Sequence, residues 1–381
     1  MARFASFVVL AISLVSSTIA FPASRSLAGL SIEERDAAVA SLKPAYPRPP
    51  PPPLADDGTK LVNDAAHRWR PAGRGDKRGP CPGLNTLSSH NWMPRNGVVT
   101  PYQMVDATQE GFNMESTLAR RFTYSSHLID GNVITDLMSI GAKTDLTGPA
   151  PPPPANPGGL NLHGFIEGDA SFTRGDAFHG DNWQFNQTLF DEFAEYINKY
   201  GAGNYNYTVA GEFRYQRIKE SIATNPQFNF RRLRFFAAYI ETIVGVNLFT
   251  DGRRDDGQVP LEDTRSFFQD SRMPDGFHRA AKPYGLEGTD VVFAAHPFTP
   301  GSNVNGINSY ETDTTSPDFG TDPDGCIQYA QFINEAVAPL YPNATGILRR
   351  NLNLNLQYYF DTFGGKCEQI FPFGKDDEDD N

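Results

Sequence analysis

The cysteines are the residues of this sequence with the most distinctive chemistry, because there are only three of them: Cys81, Cys326 and Cys367. Cys326 and Cys367 flank a stretch of helical patterning near the C-terminus, and we predict that they form a disulfide. Closing that loop would stabilise the fold by about 4 kcal/mol in the chain-entropy model. Cys81 is then unpaired, and it is either a buried thiol or a group that binds or reacts.

The residues around Cys81 favour the second alternative. The segment reads Gly79-Pro80-Cys81-Pro82-Gly83. The two prolines stiffen the backbone and bias the cysteine away from helical geometry, which suits a thiol presented to a large, rigid partner such as a metal cofactor. No second cysteine or histidine lies at zinc-finger spacing, so we do not expect a structural zinc site.

Two opposite charges lie at the start and in the middle of an apolar segment that ends at Phe249. Arg234 and Glu241 are seven residues apart, so on a helix both side chains point the same way, about 10 Å apart along the axis. Ala237 and Ala238 leave a shallow gap between them. A buried charge is costly unless it is paired or used. The two charges therefore either serve a reactive site or pair with other buried groups.

An acidic segment, Ile166 to Ser171, contains a second set of oxygen atoms. Glu167 and Ser171 are four residues apart, so on a helical turn their side chains would converge. Oxygen ligands at this spacing suit a hard cation such as magnesium. A solvated acidic turn capped by Asp169 is the commoner structure for such a segment, so the spacing alone leaves both alternatives open.

The order and intervals of these motifs resemble those of the long-type fungal unspecific peroxygenases, which belong with chloroperoxidase to the haem-thiolate peroxidase superfamily. The matching residues are Pro80-Cys81-Pro82-Gly83-Leu84-Asn85, Glu167-Gly168-Asp169 with Ser171, and Arg234 with Glu241. The resemblance extends from about residue 60 to residue 373 and includes the cysteine pair near the C-terminus.

The resemblance implies a role for each matched residue. Cys81 would be the axial thiolate ligand of haem iron, a ligand that favours O–O cleavage. Glu241 would move a proton during peroxide cleavage, and Arg234 would stabilise the charge that develops. A magnesium ion would be held against a haem propionate by Glu167, the carbonyl of Gly168, and Ser171. The implied enzyme uses haem b, Mg²⁺ and hydrogen peroxide to insert one oxygen atom into small aromatic and aliphatic substrates, with side peroxidase activity.

The resemblance also predicts the wall of a substrate pocket. Its expected residues are Phe236, Phe319, Ile166, Val244 and Met114. The last three stand where aromatic residues are common in close relatives, so we expect a roomier, more aliphatic pocket. Arg121, next to Phe122, stands where an aromatic residue of the channel would be expected.

Three other functions compete with peroxygenation. A halogenating peroxidase of the chloroperoxidase kind would have a histidine where this chain has Gly168, and it would lack an arginine at position 234. A haem carrier without turnover has no need of the charged pair. A glycosidase that uses Glu167 and Glu241 as paired carboxylates leaves Cys81 unexplained.

The rest of the sequence predicts a secreted protein. Residues 1–20 have the pattern of a signal peptide, 21–45 that of a propeptide, 46–373 form the main domain, and 374–381 are an acidic tail. The net charge of −12 argues against nucleic-acid binding, and no segment is apolar enough to span a membrane. Glycosylation is expected at the sequons Asn186, Asn206 and Asn343.

Hydrophobic spacing predicts a mainly α, single large domain with few short strands. The predicted helices are 100–128, 133–140, 188–200, 235–249, 327–340 and 345–363. None of the seven histidines has ligand spacing, and none is expected to bind iron: His67, His90, His127, His163, His179, His278 and His296.

Overall fold

The computed structural model describes residues 45–375, except residues 167 and 255. The predicted signal peptide (1–20), nearly all of the predicted propeptide (21–45), Glu167 and the tail beyond residue 375 lie outside the described residues. The described part forms one mainly helical domain, as the sequence predicts. Its α-helices are α1 (Pro82–Ser89), α2 (Pro101–Phe112), α3 (Ser116–Asp130), α4 (Gln187–Gly201), α5 (Tyr207–Thr224), α6 (Leu233–Phe249), α7 (Leu261–Phe268), α8 (Thr289–Ala295), α9 (Cys326–Gln331), α10 (Ala338–Leu340) and α11 (Gly346–Phe360).

The strands are short and all pair antiparallel. They are β1 (Val98–Val99), β2 (Met138–Ser139), β3 (Asn204–Tyr205), β4 (Asn229–Phe230), β5 (Val259–Pro260), β6 (Gly301–Asn303) and β7 (Tyr310–Thr312). Strand β1 pairs with β2, β3 pairs with β5, and β6 lies between β4 and β7. Among the helices of the described residues, none has the length and apolar character required to cross a membrane.

Helix α6 lies at the centre of the core, because almost all of its surface is apolar. Phe235, Tyr239 and Val246 are almost completely buried, and the helix packs against α5 and α8. The rings of Phe235 and Tyr239 lie 6.0 and 5.3 Å from the ring of Phe293. Burying each phenylalanine contributes about 1.5–3 kcal/mol. The helix is therefore a rigid support for the charged residues that it carries.

The helix predicted from residue 100 to residue 128 begins where the sequence places it but is interrupted. Thr100 and Gln103 form a reciprocal capping box at its start. The first helix ends at Asn113, which adopts a left-handed conformation (φ 60°). Glu115 then caps α3 by accepting a hydrogen bond from the backbone N–H of Leu118. Asparagine tolerates left-handed geometry, and the helical periodicity on each side concealed the break.

The helix predicted over residues 133–140 is wrong. This segment is a turn followed by β2, which pairs with β1. Asp136 has a positive φ of 55°, which a regular helix cannot contain. Val133 and Ile134 are fully buried. Their apolar character therefore reflects burial in the core rather than one face of a helix.

The C-terminal predictions are largely confirmed. Cys326 and Cys367 form a disulfide with a Cα–Cα distance of 5.2 Å. The helix predicted over 327–340 is present, but its middle, Phe332–Val337, is a π-helix. The helix predicted over 345–363 ends as a 3₁₀ turn, Asp361–Phe363. The predicted helices over 188–200 and 235–249 correspond to α4 and α6.

Candidate active site

Cys81 lies directly before the first turn of helix α1. Its backbone is extended (φ −80°, ψ 111°), and Pro82 begins the helix. The pKa of its thiol is lowered by the backbone N–H groups of Gly83 and Leu84. Such donors, together with the positive end of the helix dipole, stabilise a thiolate. The prediction that the flanking prolines keep this cysteine outside a helix is confirmed.

Asn85 fixes the backbone that leads into Cys81. Its Oδ1 accepts a hydrogen bond from the N–H of Gly79 (2.9 Å), and its Nδ2 donates to the carbonyl of the same residue (2.8 Å). Gly79 has no room for a side chain, because a Cβ atom there would lie 2.0 Å from the carbonyl oxygen of Ile140. These contacts fix the backbone of the segment that leads into Cys81.

The protonation of Cys81 depends on its surroundings. Burial raises the pKa of the thiol, the N–H groups of Leu84 and Gly83 and the charge of Arg174 lower it, and the charge of Glu241 raises it. The net effect is a pKa above the ordinary value, so the sulfur stays protonated in the absence of a bound cation. A metal ion at the sulfur would reverse this balance, because coordination deprotonates a thiol. The position suits a metal ligand better than a free nucleophile.

Glu241 projects from helix α6 and forms an ion pair with Arg214 of helix α5. The distance from Oε1 to Nη2 is 2.6 Å. Arg214 is fully buried and is held by Thr242 Oγ1 and by the carbonyl of Ala170. The Glu241 side chain is 53% accessible, yet burial raises its pKa against the opposing effect of Arg214. Both observations fit a carboxylate that faces an internal space rather than bulk water.

Arg234 lies two turns before Glu241 on the same helix, but the two do not pair with each other. Its Nε donates to the carbonyl of Gly164 (3.1 Å), and so does its Nη2. A Cβ atom on Gly168 would lie 3.4 Å from the Arg234 side chain. The structure therefore brings the arginine against the acidic segment. Glu241 pairs instead with a buried arginine, Arg214, as in the second of the two alternatives that the sequence left open.

The acidic segment is an irregular loop in its described positions, so the helical turn considered from the spacing is not present. Asp169 accepts hydrogen bonds from the N–H of Ala177 (2.9 Å) and the amide of Asn225 (3.0 Å). The carbonyl of Ser171 accepts a hydrogen bond from Arg217 Nε (2.8 Å). Asp169 therefore fixes the conformation of this loop.

Arg174 is a charged residue near the site that the sequence reasoning did not identify. Its side chain is buried, its Nη1 donates to Thr173 Oγ1 (2.6 Å), and its Nε has no hydrogen-bond partner within the described part of the chain. Burial lowers its pKa to about 10, and the charges of Cys81 and Glu241 oppose that shift. Arg174 is therefore close enough to Cys81 and Glu241 for the charges of both to act on it. Its only sequence signal was its position three residues after Ser171.

A cavity of about 440 Å³ lies along helix α6, next to the segment from Leu233 to Ile240. Its wall contains Phe236, Phe319 and Ile166, as predicted, together with Leu233, Ala237 and Ile240. Arg121 and Phe122 also line it. Met114 and Val244 do not: Met114 is buried in the core, and Val244 lies one turn beyond Ile240, where the cavity ends.

Comparison with known proteins identifies the family. A family model described as "Peroxidase, family 2" matches residues 67–282. The chain belongs to peroxidase family 2. An aromatic peroxygenase from Cyclocybe aegerita is 56% identical over 358 residues, which cover 94% of this chain and 96% of the relative. An aromatic peroxygenase from Coprinellus radians is 54% identical over 232 residues, covering 60% of this chain and 88% of that protein.

A more distant relative is a dothistromin biosynthesis peroxidase from Dothistroma septosporum. It is 30% identical over 184 residues, covering 45% of this chain and 42% of that protein. As a family 2 peroxidase, the chain belongs to the haem-thiolate peroxidases, and the family implies haem iron as the cofactor. The matched stretch contains Cys81, Arg174, Arg214 and Glu241. The family match therefore includes the thiol and the three charged residues of the candidate site.

Proposed function

We propose that this family 2 peroxidase is a secreted haem-thiolate peroxygenase. It uses hydrogen peroxide to insert one oxygen atom into small aromatic and aliphatic substrates, with side peroxidase activity. The observation that carries the proposal is a free thiol, Cys81, placed close enough to the Glu241–Arg214 ion pair for the charge of Glu241 to raise the pKa of that thiol. The names of the two most similar relatives described above support the same activity.

The residues near Cys81 fit a haem group with its negatively charged propionates. Arg174 is a buried guanidinium whose Nε lacks a hydrogen-bond partner among the described residues, and a carboxylate is the group that such a cation binds best. Cys81 would supply the sulfur ligand to the haem iron. We propose haem b as the cofactor, with Arg174 binding one of its carboxylates and a Mg²⁺ ion bound by Glu167, the Gly168 carbonyl and Ser171.

Residues of this chain transfer the proton of peroxide and stabilise the negative charge that develops during its cleavage. When bound, haem iron would supply the redox chemistry that oxygen transfer from peroxide requires. Glu241 accepts a proton from peroxide and delivers it to the oxygen that leaves as water. Arg214 holds the Glu241 carboxylate in place. Arg234 stabilises negative charge during O–O cleavage, and the aromatic and aliphatic cavity wall excludes water.

The test of this proposal is a spectrum combined with an isotope experiment. The purified protein, reduced and exposed to carbon monoxide, should give a Soret band shifted far to the red, as thiolate-ligated haem does. With isotopically labelled hydrogen peroxide, the label should appear in the hydroxylated product. A histidine-type spectrum would overturn the haem-thiolate assignment. Halogenation without labelled oxygenation would favour the chloroperoxidase-like alternative.

Secretion and glycosylation belong to the same proposal. Asn186 and Asn343 are exposed, so both can carry a glycan. Asn206 is half-buried, and its Nδ2 donates to Gln258 Oε1 at 2.9 Å. This nitrogen is the atom to which a glycan is attached, so modification of Asn206 requires that hydrogen bond to break.

Arg214→Gln should move the acidic limb of the pH–activity profile to higher pH. Arg214 lowers the pKa of Glu241, while burial raises it. Without this cation the pKa of Glu241 should rise. The carboxyl group then stays protonated up to a higher pH, and while it is protonated it cannot accept a proton from peroxide. Peroxide-dependent turnover measured between pH 3 and pH 8 checks this. Arg214→Lys, which keeps a positive charge, should show a smaller displacement, and an unmoved profile in Arg214→Gln would contradict the role.

Arg174→Gln should weaken haem binding. The charged hydrogen bond that it removes contributes about 1.5–3 kcal/mol, which corresponds to a tenfold or greater gain in the haem dissociation rate. The rate of haem transfer to excess apomyoglobin measures the effect without relying on turnover. Arg253→Gln is the control, because Arg253 is an exposed arginine whose ion-pair partner is Asp251. Equal transfer rates in both variants would contradict the assignment.

A further inference from the structure

The cavity wall contains a cation that the proposed peroxygenase chemistry does not require. Arg121 projects from helix α3 and lies among apolar cavity residues such as Phe122 and Leu233. A charged side chain in such a wall is costly unless it binds something of opposite charge. What Arg121 binds is therefore a question about the substrate.

The structure fixes the plane of the Arg121 guanidinium. Its Nη2 donates to the carbonyl of Thr362 (2.8 Å), and its Nε donates to Thr362 Oγ1 (3.3 Å). Its Cζ lies 4.3 Å from the centre of the Phe363 ring. Hydrogen bonds on one edge and stacking on one face leave Nη1 without a hydrogen-bond partner among the described residues. This pre-organised edge suits a planar anion such as a carboxylate.

No carboxylate in the described residues lies within 4.0 Å of Arg121. The neighbouring Arg120, by contrast, reaches Asp361 at 3.5 Å. Arg121 is half-buried, and this burial lowers its pKa. An arginine nevertheless keeps its charge at all physiological pH values. The cavity therefore retains a guanidinium with unused binding capacity.

The other charged residues of the cavity already have partners. Asp322 is buried, and its carboxylate accepts hydrogen bonds from the N–H groups of Ile327 (3.0 Å) and Gln328 (2.8 Å) at the start of α9. Asp324 and Lys366 form an exposed ion pair at 2.8 Å. These exposed residues also mark the open end of the cavity. Arg121 lies near that end, because its Nη1 would be 4.0 Å from a Cβ atom on Gly325.

The opposite end of the cavity is apolar. Along helix α6 its wall continues through Phe236 and Ala237 to Ile240, which directly precedes Glu241. Ile166 and Phe319 complete this end. A molecule lying along the cavity would therefore have one end at a cation and the other in the apolar surroundings of Ile240.

We propose that Arg121 makes this enzyme selective for amphiphilic organic acids, whose carboxylate binds Arg121 while the apolar body extends along Phe236 towards Ile240. The inference rests on the proposed peroxygenase function. One C–H bond and the O–O bond break, one C–O and one O–H bond form, and the products are the hydroxylated acid and water. The carbon is oxidised, and peroxide is reduced. Because the carboxylate is held at the mouth, the oxidised carbon lies far from it.

The experiment compares dodecanoic acid with methyl dodecanoate at pH 7, using the haem-loaded enzyme. The ratio of kcat/KM for the acid to kcat/KM for the ester should fall about tenfold in Arg121→Gln, the lower end of what a charged hydrogen bond contributes, because the site is half-exposed. Hydroxylation of the acid should also spread towards the carboxyl end. Titrating the haem absorption band with each compound gives the same comparison as dissociation constants, without turnover.

Two controls separate selectivity from damage. Arg120→Gln removes the adjacent arginine, which is not part of the cavity wall, and should leave the ratio unchanged. Arg121→Lys should restore part of the preference for the acid. A wild-type enzyme that oxidises both compounds without preference, or an equal loss on both in Arg121→Gln, would overturn the inference alone. Failure to oxidise either compound, together with the absence of a thiolate spectrum, would overturn the proposed function itself.

Discussion

Glu241→Gln is expected to lower kcat for peroxide-dependent oxidation about a hundredfold to ten-thousandfold, the range typical of a lost general acid–base. Glutamine keeps the shape of the side chain and can still accept a hydrogen bond from Arg214, which lies 2.6 Å from the carboxylate. It cannot take a proton from peroxide. The measurement is the rate of peroxide consumption in the presence of substrate, normalised to haem content.

Haem content should not change in this variant, because Glu241 is not among the residues proposed to hold haem. Glu212→Gln is a matched control, since Glu212 forms its ion pair with His296 (3.0 Å) and not with Arg214. It should keep wild-type turnover. A Glu241→Gln enzyme that carries haem and turns over at the wild-type rate would remove Glu241 from the mechanism.

The sequence predicted the helix that carries Glu241 but not the residue that binds it. The apolar run and the seven-residue spacing were enough to place Arg234 and Glu241 on one face of α6. Arg214 lies on α5, and its contact with Glu241 depends on how the two helices pack. No local pattern reports a packing angle between helices. Arg174 lies on a loop, and its position near Cys81 and Glu241 depends on how that loop folds. No local pattern reports this either, so the residue was not identified.

Loops and cavity ends were the other features that the sequence could not determine. The Glu167–Ser171 spacing is equally compatible with a helical turn and with the irregular loop that Asp169 fixes through Ala177 and Asn225. Pocket residues were predicted by position in the family pattern. Phe236, Phe319 and Ile166 line the cavity, but Val244 lies beyond its end, because a cavity boundary is set by the side chains of several distant elements.

Cys81→Ala is expected to abolish the red-shifted Soret band of the reduced, carbon-monoxide-treated protein. Cys81 is the free cysteine of the described residues, and the backbone N–H groups of Gly83 and Leu84 lower the pKa of its thiol. Alanine offers no ligand atom, so the variant should either lose haem or bind it with another residue. The absorption spectrum and the haem content, measured on the same sample, distinguish these two outcomes.

The decisive control for that variant is the loss of the other sulfur atoms. A double variant, Cys326→Ala with Cys367→Ala, removes the disulfide and should lower stability by about 2–5 kcal/mol. It should nevertheless keep the red-shifted band, because neither sulfur lines the proposed haem space. Thermal unfolding and the absorption spectrum separate the two effects. The double variant should have a lower Tm and keep the red-shifted band. If Cys81→Ala kept the band, the ligand would not be Cys81, and the haem-thiolate assignment at this position would fail.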